Sequence, residues 1–104
     1  METYFFRIVP PRAMSLPHMR ADELKVIDLH VAYWLKLMQR GHVLAFGPVA
    51  DDTGNYGVGV IQAQSPEQAR AIADNDPAVT DPLLSFRTTV TPMHTVMSPV
   101  LMPS

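Results

Sequence analysis

Ten prolines divide the 104-residue chain into short segments, and most lie between the stretches of regular hydrophobic pattern rather than inside them. A proline ends a helix and removes a hydrogen-bond donor from a sheet, so each one limits how far a regular element can run. Between Asp22 and Arg40 there is neither proline nor glycine. The chain is therefore expected to form one long helix among several short elements, within one domain, since its length leaves no room for two.

The stretch from Asp22 to Arg40 has the hydrophobic pattern of an amphipathic helix. Acidic residues occupy its first turn, Arg40 its last turn, and Gly41 follows as a C′ residue, which suits the helix dipole and a left-handed cap. Its apolar residues recur at intervals of three and four and form one stripe: Leu24, Ile27, Val31, Trp34, Leu35 and Met38. A second helix is predicted from the capping box that starts at Ser65-Pro66, with its end at Asp76-Pro77.

Four short segments have the composition and period of β-strands, and they span residues 4–9, 43–46, 57–63 and 84–90. Residues 10–20 are a predicted loop and residues 51–55 a turn. The glycines at 57 and 59 indicate close approach by a neighbouring group. The order is β-α-β-β-α-β, which predicts an α+β, ferredoxin-like fold: a four-stranded antiparallel sheet with both helices on one face.

The second face of this sheet has no helix to cover it. Neither alternating set of the first strand, such as Phe5 on one side and Phe6 on the other, is polar enough to face water. We therefore expect a homodimer or higher homo-oligomer. Residues 1–93 are the predicted domain, and residues 94–104 form an apolar, proline-containing tail. That tail is either a mobile end or an arm that packs on a neighbouring subunit.

Composition and missing motifs exclude several classes of protein. The net charge of −2 argues against a nucleic-acid partner, and no apolar run is long enough for a membrane span. No signal peptide is evident, so a cytoplasmic location is expected. There are no cysteines, and the histidines lack metal-site spacing, so no metal is expected. No cofactor motif occurs, and none is expected. The histidines are His18, His30, His42 and His94.

His30 and Asp76 combine reactive side chains with predicted positions against the core. His30 lies mid-helix, about 80° from the centre of the apolar stripe at 100° per residue. Asp76 follows Ile72 by four residues and projects from the same side, where a carboxylate is costly unless paired. Its possible partners are His30, Arg7 and Arg87. The plainer interpretations are a core-edge histidine bonded to the backbone and a helix stop before proline.

Arg7 and Arg87 lie on the first and last strands, which are neighbours in this topology. Arginines inside the strands of a small sheet can bind an anionic substrate group. They also commonly pair with local acids or extend to solvent. Tyr33 and Trp34 are expected to pack the helix rather than to stack on a substrate.

Five short segments occur in an order and spacing that are more specific than any one of them. They are Leu29-His30-Val31-Ala32-Tyr33-Trp34-Leu35-Lys36-Leu37, Gly41-His42-Val43-Leu44, Gly47-Pro48-Val49-Ala50-Asp51, Ser65-Pro66-Glu67-Gln68-Ala69 and Asn75-Asp76-Pro77. Over residues 4–93 the chain resembles the YCII-related proteins. The resemblance implies a dimeric α+β barrel built from ferredoxin-like protomers, and a His and an Asp proposed as a catalytic pair, which correspond to His30 and Asp76.

Relatives of similar fold include muconolactone isomerases and a dehydrochlorinase of chlorinated aromatic breakdown. The chain departs from shorter members of the family in its 10–20 loop and its tail. We expect cofactor-independent His/Asp acid–base chemistry, of the isomerisation, elimination or dehalogenation type, on a small organic molecule. His30 is the expected general base or acid, Asp76 its orienting partner, and Arg7 or Arg87 a holder of a substrate carboxylate. The alternative is a non-catalytic binding or regulatory domain that uses the same cleft.

Overall fold

Seven regular elements build the structure, a computed structural model that describes residues 1–11 and 19–99. The strands form one antiparallel sheet in the order β2-β3-β1-β4. The predicted α+β, ferredoxin-like arrangement is confirmed. In chain order the elements are β1 (Glu2–Val9), α1 (Ala21–Gln39), β2 (Val43–Val49), β3 (Tyr56–Ala63), α2 (Pro66–Asp74), α3 (Pro77–Thr80) and β4 (Arg87–Met93).

Strand β1 shows which face of the sheet the helices cover. Tyr4, Phe6 and Ile8 are at most 2% exposed and belong to the core cluster with the helix residues, whereas Phe5 is 39% exposed and Arg7 is exposed. Successive side chains of a strand point to opposite faces, so the even-numbered residues face the helices. The odd-numbered residues lie on a second face, called the open face below, which no described helix covers.

Helix α1 begins and ends within one residue of its predicted limits. At its start the Glu23 side chain accepts a hydrogen bond of 3.0 Å from the Arg20 backbone N–H, which satisfies one of the free donors there. At its end Gly41 has a φ of +82°, a left-handed conformation that favours glycine. The Trp34 side chain is fully buried between this helix and the sheet.

The two edge strands extend beyond their predicted ends, and each of them runs through a proline. Strand β2 continues through Pro48 to Val49 instead of ending at residue 46, and β4 covers residues 87–93 instead of 84–90. Both lie at the outside of the sheet, where a missing N–H need not break a ladder hydrogen bond. Residues 84 and 85 instead close a turn, since both of their N–H groups bond to the Asp81 carbonyl.

The connection after α2 also differs from the prediction. The second helix ends at Asp74, with Asn75 as its cap, rather than continuing to Asp76. A separate four-residue helix, α3, starts at Pro77, and Asp76 is its N-cap. A proline fits the first position of a helix and disfavours helical geometry in the residue before it, so Pro77 explains both the stop and the restart.

Some predictions fall on residues 12–18 and 100–104, which lie outside the described residues. They include most of the predicted 10–20 loop, His18 and the end of the tail. The division between residues 1–93 and 94–104 stays a prediction. Among residues 1–11 and 19–99, no helix is long and apolar enough to cross a membrane. The cytoplasmic location stays a prediction.

Candidate active site

His30 and Asp76 are in direct contact. The Nδ1 atom of His30 lies 2.6 Å from Oδ2 of Asp76, although the residues are 46 positions apart in the sequence. Helix α1 carries the imidazole and the start of α3 carries the carboxylate. The Asp76 side chain is fully buried and that of His30 is 17% exposed, so the carboxylate lies behind the ring.

The buried Asp76 carboxylate accepts two further hydrogen bonds. Trp34 Nε1 donates to Oδ2 over 2.6 Å, and the Ala78 backbone N–H donates to Oδ1 over 2.9 Å. A carboxylate without water is unfavourable unless it is paired and hydrogen-bonded. The fold therefore compensates this burial with two donors on α1 and one at the N-terminus of α3.

When the Asp76 carboxylate is ionised, its partners determine the protonation pattern of the His30 ring. An indole N–H and an amide N–H can only donate, so both Asp76 oxygens act as acceptors, and an ionised carboxylate has no donor of its own. The proton between the two side chains is then the one on Nδ1 of His30. In the neutral imidazole this leaves Nε2 unprotonated, which is the form that can take up a proton.

A cavity of about 410 Å³ lies beside the pair. This volume is in the range of small-molecule sites, roughly 300–1,000 Å³. Its walls come from α1, the second half of β1, and the adjoining ends of β2 and β3. Gly57 lines it, and a Cβ there would lie 2.6 Å from Ile8 Cγ2, which accounts for the glycine. Five aromatic residues of the Phe, Tyr and Trp types contribute to the lining: Phe6, Trp34, Phe46, Tyr56 and Phe86.

Of the two paired residues, His30 is the one that borders the cavity. It lines the cavity, whereas Asp76 does not. Among the described residues, none forms a hydrogen bond with Nε2 of His30, so this nitrogen is available to a bound molecule. The site thus presents one imidazole in an otherwise mostly apolar described lining.

Tyr33, the neighbour of Trp34 in α1, faces a different element. Its hydroxyl donates to the Ile72 carbonyl over 2.7 Å and so joins α1 to α2. Burial raises the pKa of Tyr33, and the nearby Asp76 carboxylate raises that pKa further. Its expected role as a packing residue agrees with these contacts.

The structure does not bring Arg7 or Arg87 to the pair. The strand register places Arg7 opposite Thr89 and Arg87 opposite Val9, so both arginines project from the open face. The Arg7 guanidinium instead lies 4.2 Å from the centre of the Tyr56 ring. Strands β1 and β4 are neighbours, as predicted. The assignment of these arginines to substrate binding stays a prediction.

Trp34 is the site residue that the sequence analysis missed, since it was expected only to pack. Its position four residues after His30 puts both side chains on one side of α1. A buried indole N–H needs an acceptor, and the predicted burial of Asp76 supplied one. Those two signals together would have indicated the contact.

The positions of possible metal ligands are given by the structure for the described residues. Within the described residues, no group of three or more His, Cys, Asp or Glu side chains is placed to hold a metal ion. His42, for example, contacts the backbone: its Nδ1 lies 3.1 Å from the carbonyl of Gln62 in β3.

Fold and site together define a ferredoxin-like α+β protein with a His–Asp pair at the wall of an apolar cavity. The sequence pattern of the YCII-related domain matches residues 4–94, and the chain belongs to that family. This confirms the resemblance drawn from the sequence. No curated protein matches the chain.

A solved structure is similar to this one: 5-chloro-2-hydroxyhydroquinone dehydrochlorinase (TftG) from Burkholderia phenoliruptrix AC1100, in complex with 2,5-dihydroxybenzoquinone. The TM-score is 0.51 and the sequence identity 19%, over 84% of this chain and 89% of that one. At this identity the likeness establishes the shared fold.

Proposed function

We propose that the protein is a small enzyme that performs cofactor-independent acid–base chemistry on a small organic molecule bound in the cavity. The reaction is of the isomerisation, elimination or dehalogenation type. The observation that carries the proposal is the 2.6 Å contact of His30 with a buried carboxylate, on a ring whose other nitrogen is left for the cavity.

His30 is the general base in this proposal. Its Nε2 takes a proton from the substrate, and the charge that develops on the ring is stabilised by the Asp76 carboxylate. In an isomerisation the same nitrogen returns the proton to another atom. In an elimination, a leaving group such as chloride departs with its electron pair. Positioned acid–base groups contribute about 10²–10⁴-fold to a rate.

The proposed substrate is a small cyclic molecule. The aromatic and aliphatic walls favour a flat apolar body, and His30 supplies a polar contact at one side. The dehydrochlorinase of similar fold binds 2,5-dihydroxybenzoquinone, a molecule of this kind. The proposal does not depend on Arg7 or Arg87, which lie on the open face.

We further propose a homodimer in which two open faces meet. Phe5 is 39% exposed there, and Val9, Val58 and Val60 are partly exposed around it. Apolar side chains grouped on one face are typical of a contact surface. A second copy of the chain would bury them.

Turnover and binding assays test the enzymatic proposal. The probes are 5-chloro-2-hydroxyhydroquinone, with chloride release as the readout, and 2,5-dihydroxybenzoquinone, with fluorescence of the single tryptophan as the readout. We expect wild-type turnover to fall at least about 100-fold in His30→Gln. The matched control is His42→Gln, because the half-buried His42 side chain contacts the Gln62 carbonyl and does not line the cavity.

The outcomes separate the two functional classes. Loss of turnover in His30→Gln, with unchanged thermal unfolding and an active His42→Gln, supports the enzyme. Equal turnover in wild type and His30→Gln contradicts it. Saturable binding by the wild type without turnover of a panel of chlorinated and unsaturated cyclic compounds supports the alternative, a binding domain that uses the same cavity.

A further inference from the structure

Trp34 donates to the same oxygen atom that His30 contacts. Both contacts to Oδ2 of Asp76 measure 2.6 Å, and the third donor, the Ala78 N–H, binds Oδ1. Trp34 is fully buried, and its ring lies against Phe6, with 4.4 Å between ring centres. The indole is therefore held in place by packing, independently of His30.

We propose that Trp34 is a positioning residue of this site: its indole N–H holds the Asp76 carboxylate in the orientation that meets Nδ1 of His30 and keeps Nε2 directed to the cavity. The catalytic part of this inference rests on the function proposed above. The structural part does not, since it concerns only hydrogen bonds between residues of this chain.

The carboxylate has two fixed anchors apart from His30. Rotation about its Cβ–Cγ bond would separate Oδ1 from the Ala78 N–H and Oδ2 from the Trp34 indole at the same time. These anchors belong to different elements, α3 and α1. A group held by two such contacts needs little reorganisation when the imidazole becomes charged, which is the condition for effective electrostatic stabilisation.

The shared oxygen also makes the two donors interdependent. When His30 gains a proton on Nε2, the Nδ1–H becomes a stronger donor and draws more electron density from Oδ2. The indole hydrogen bond to that oxygen then weakens. The Trp34 N–H should therefore respond to the charge of His30, although the ring centres of the two residues are 6.5 Å apart.

NMR spectroscopy of the wild-type protein tests this interdependence. The chain has one tryptophan, so a ¹⁵N-labelled sample gives a single indole N–H signal. We expect that signal to move with pH at the same midpoint as the Cε1–H signal of His30, and to lose this movement in His30→Gln. An indole signal that ignores the titration of His30, or that titrates equally in His30→Gln, overturns the proposal.

Kinetics with Trp34→Phe test the positioning role. Phenylalanine keeps an aromatic wall but has no N–H, so we expect kcat to fall about 10- to 100-fold, as for one hydrogen bond to a charged group. The matched control is Tyr33→Phe, which removes the bond to the Ile72 carbonyl and leaves Asp76 untouched. We expect its kcat to stay within about twofold of wild type.

The kinetic outcomes are distinguishable from failure of the proposed function. A Trp34→Phe variant with wild-type kcat and a raised KM shows that the indole is only a wall of the cavity, which overturns the positioning role. If the wild type turns over none of the compounds, the proposed function fails, and the NMR titration decides the inference alone.

Discussion

The Asp76→Asn substitution tests whether the buried carboxylate has the hydrogen-bonding role that the structure assigns to it. The asparagine side chain has nearly the same size and shape but only one acceptor oxygen, with an NH₂ group in place of the other. Three donors surround the site, on both sides of the carboxylate: the His30 ring, the Trp34 indole and the Ala78 amide.

Neither orientation of the new amide satisfies all three donors. With its oxygen toward Trp34, the NH₂ group faces the Ala78 N–H. With its oxygen toward Ala78, the NH₂ group faces the Trp34 N–H. His30 can adapt by losing or moving its proton, so the substitution leaves no unpaired charge. A single unsatisfied donor in a buried site costs about 1–3 kcal/mol. For a domain of this size, about 2 kcal/mol corresponds to a decrease of roughly 10 °C in Tm.

Thermal and urea unfolding at pH 7, followed by circular dichroism, measure this cost. The control is Asp74→Asn, which replaces an exposed carboxylate that pairs with Arg70 over 2.7 Å, with both side chains about half exposed. Exposed pairs contribute about 0.2–1 kcal/mol, so we expect a change of a few degrees at most. If Asp76→Asn is no more destabilising than Asp74→Asn, the argument from three buried donors is refuted.

Three further predictions address other parts of the molecule. The protein should be a homodimer at micromolar concentration, and Phe5→Glu should dissociate it because a charge would enter the joined open faces; light scattering that gives a monomer mass for the wild type contradicts this. Truncation after Met93 should lower the Tm or the oligomer mass, because the removed residues are largely apolar; if both stay unchanged, the tail has no part in assembly. Asp76→Asn should lower the pKa of Tyr33 toward 10, because the charge that favours the neutral phenol is removed. Absorbance at 295 nm, after subtraction of the Tyr33→Phe profile to remove the other two tyrosines, follows that titration. An unchanged Tyr33 profile argues against the charge effect.

The sequence predicted the regular elements well where local signals define them. The spacing of apolar residues and the flanking charges of α1 are properties of neighbouring residues, so its limits were correct within one position at each end. The capping box at Ser65 located the start of α2 in the same way, and the Ser65 hydroxyl accepts from the Gln68 N–H over 3.1 Å. The composition of β1 predicted burial of both faces; in this chain Tyr4, Phe6 and Ile8 are buried, whereas Phe5 and Arg7 are exposed.

The edge strands were harder to predict, because their limits depend on partners that are distant in the sequence. Leu84 is buried, which fits the apolar pattern of a strand, yet it lies in a turn before β4. The strand itself runs through Pro92, where a position at the sheet edge makes the missing donor tolerable. No local sequence pattern identifies which strands lie at the edges of the sheet.

Helical periodicity singled out His30 at the edge of the buried face of α1. It also predicted the burial of Asp76, but that residue lies beyond the end of α2 as the N-cap of α3, so its inward position depends on the break between the two helices. Only the tertiary structure brought the two within hydrogen-bond distance, added the Trp34 and Ala78 donors, and separated Arg7 and Arg87 from the cavity. The physical reason is that a hydrogen bond acts over about 3 Å, whereas its partners here are joined only by the packing of α1 and α3 against each other. The residues that face inward follow from the sequence, and their partners follow from how the elements pack.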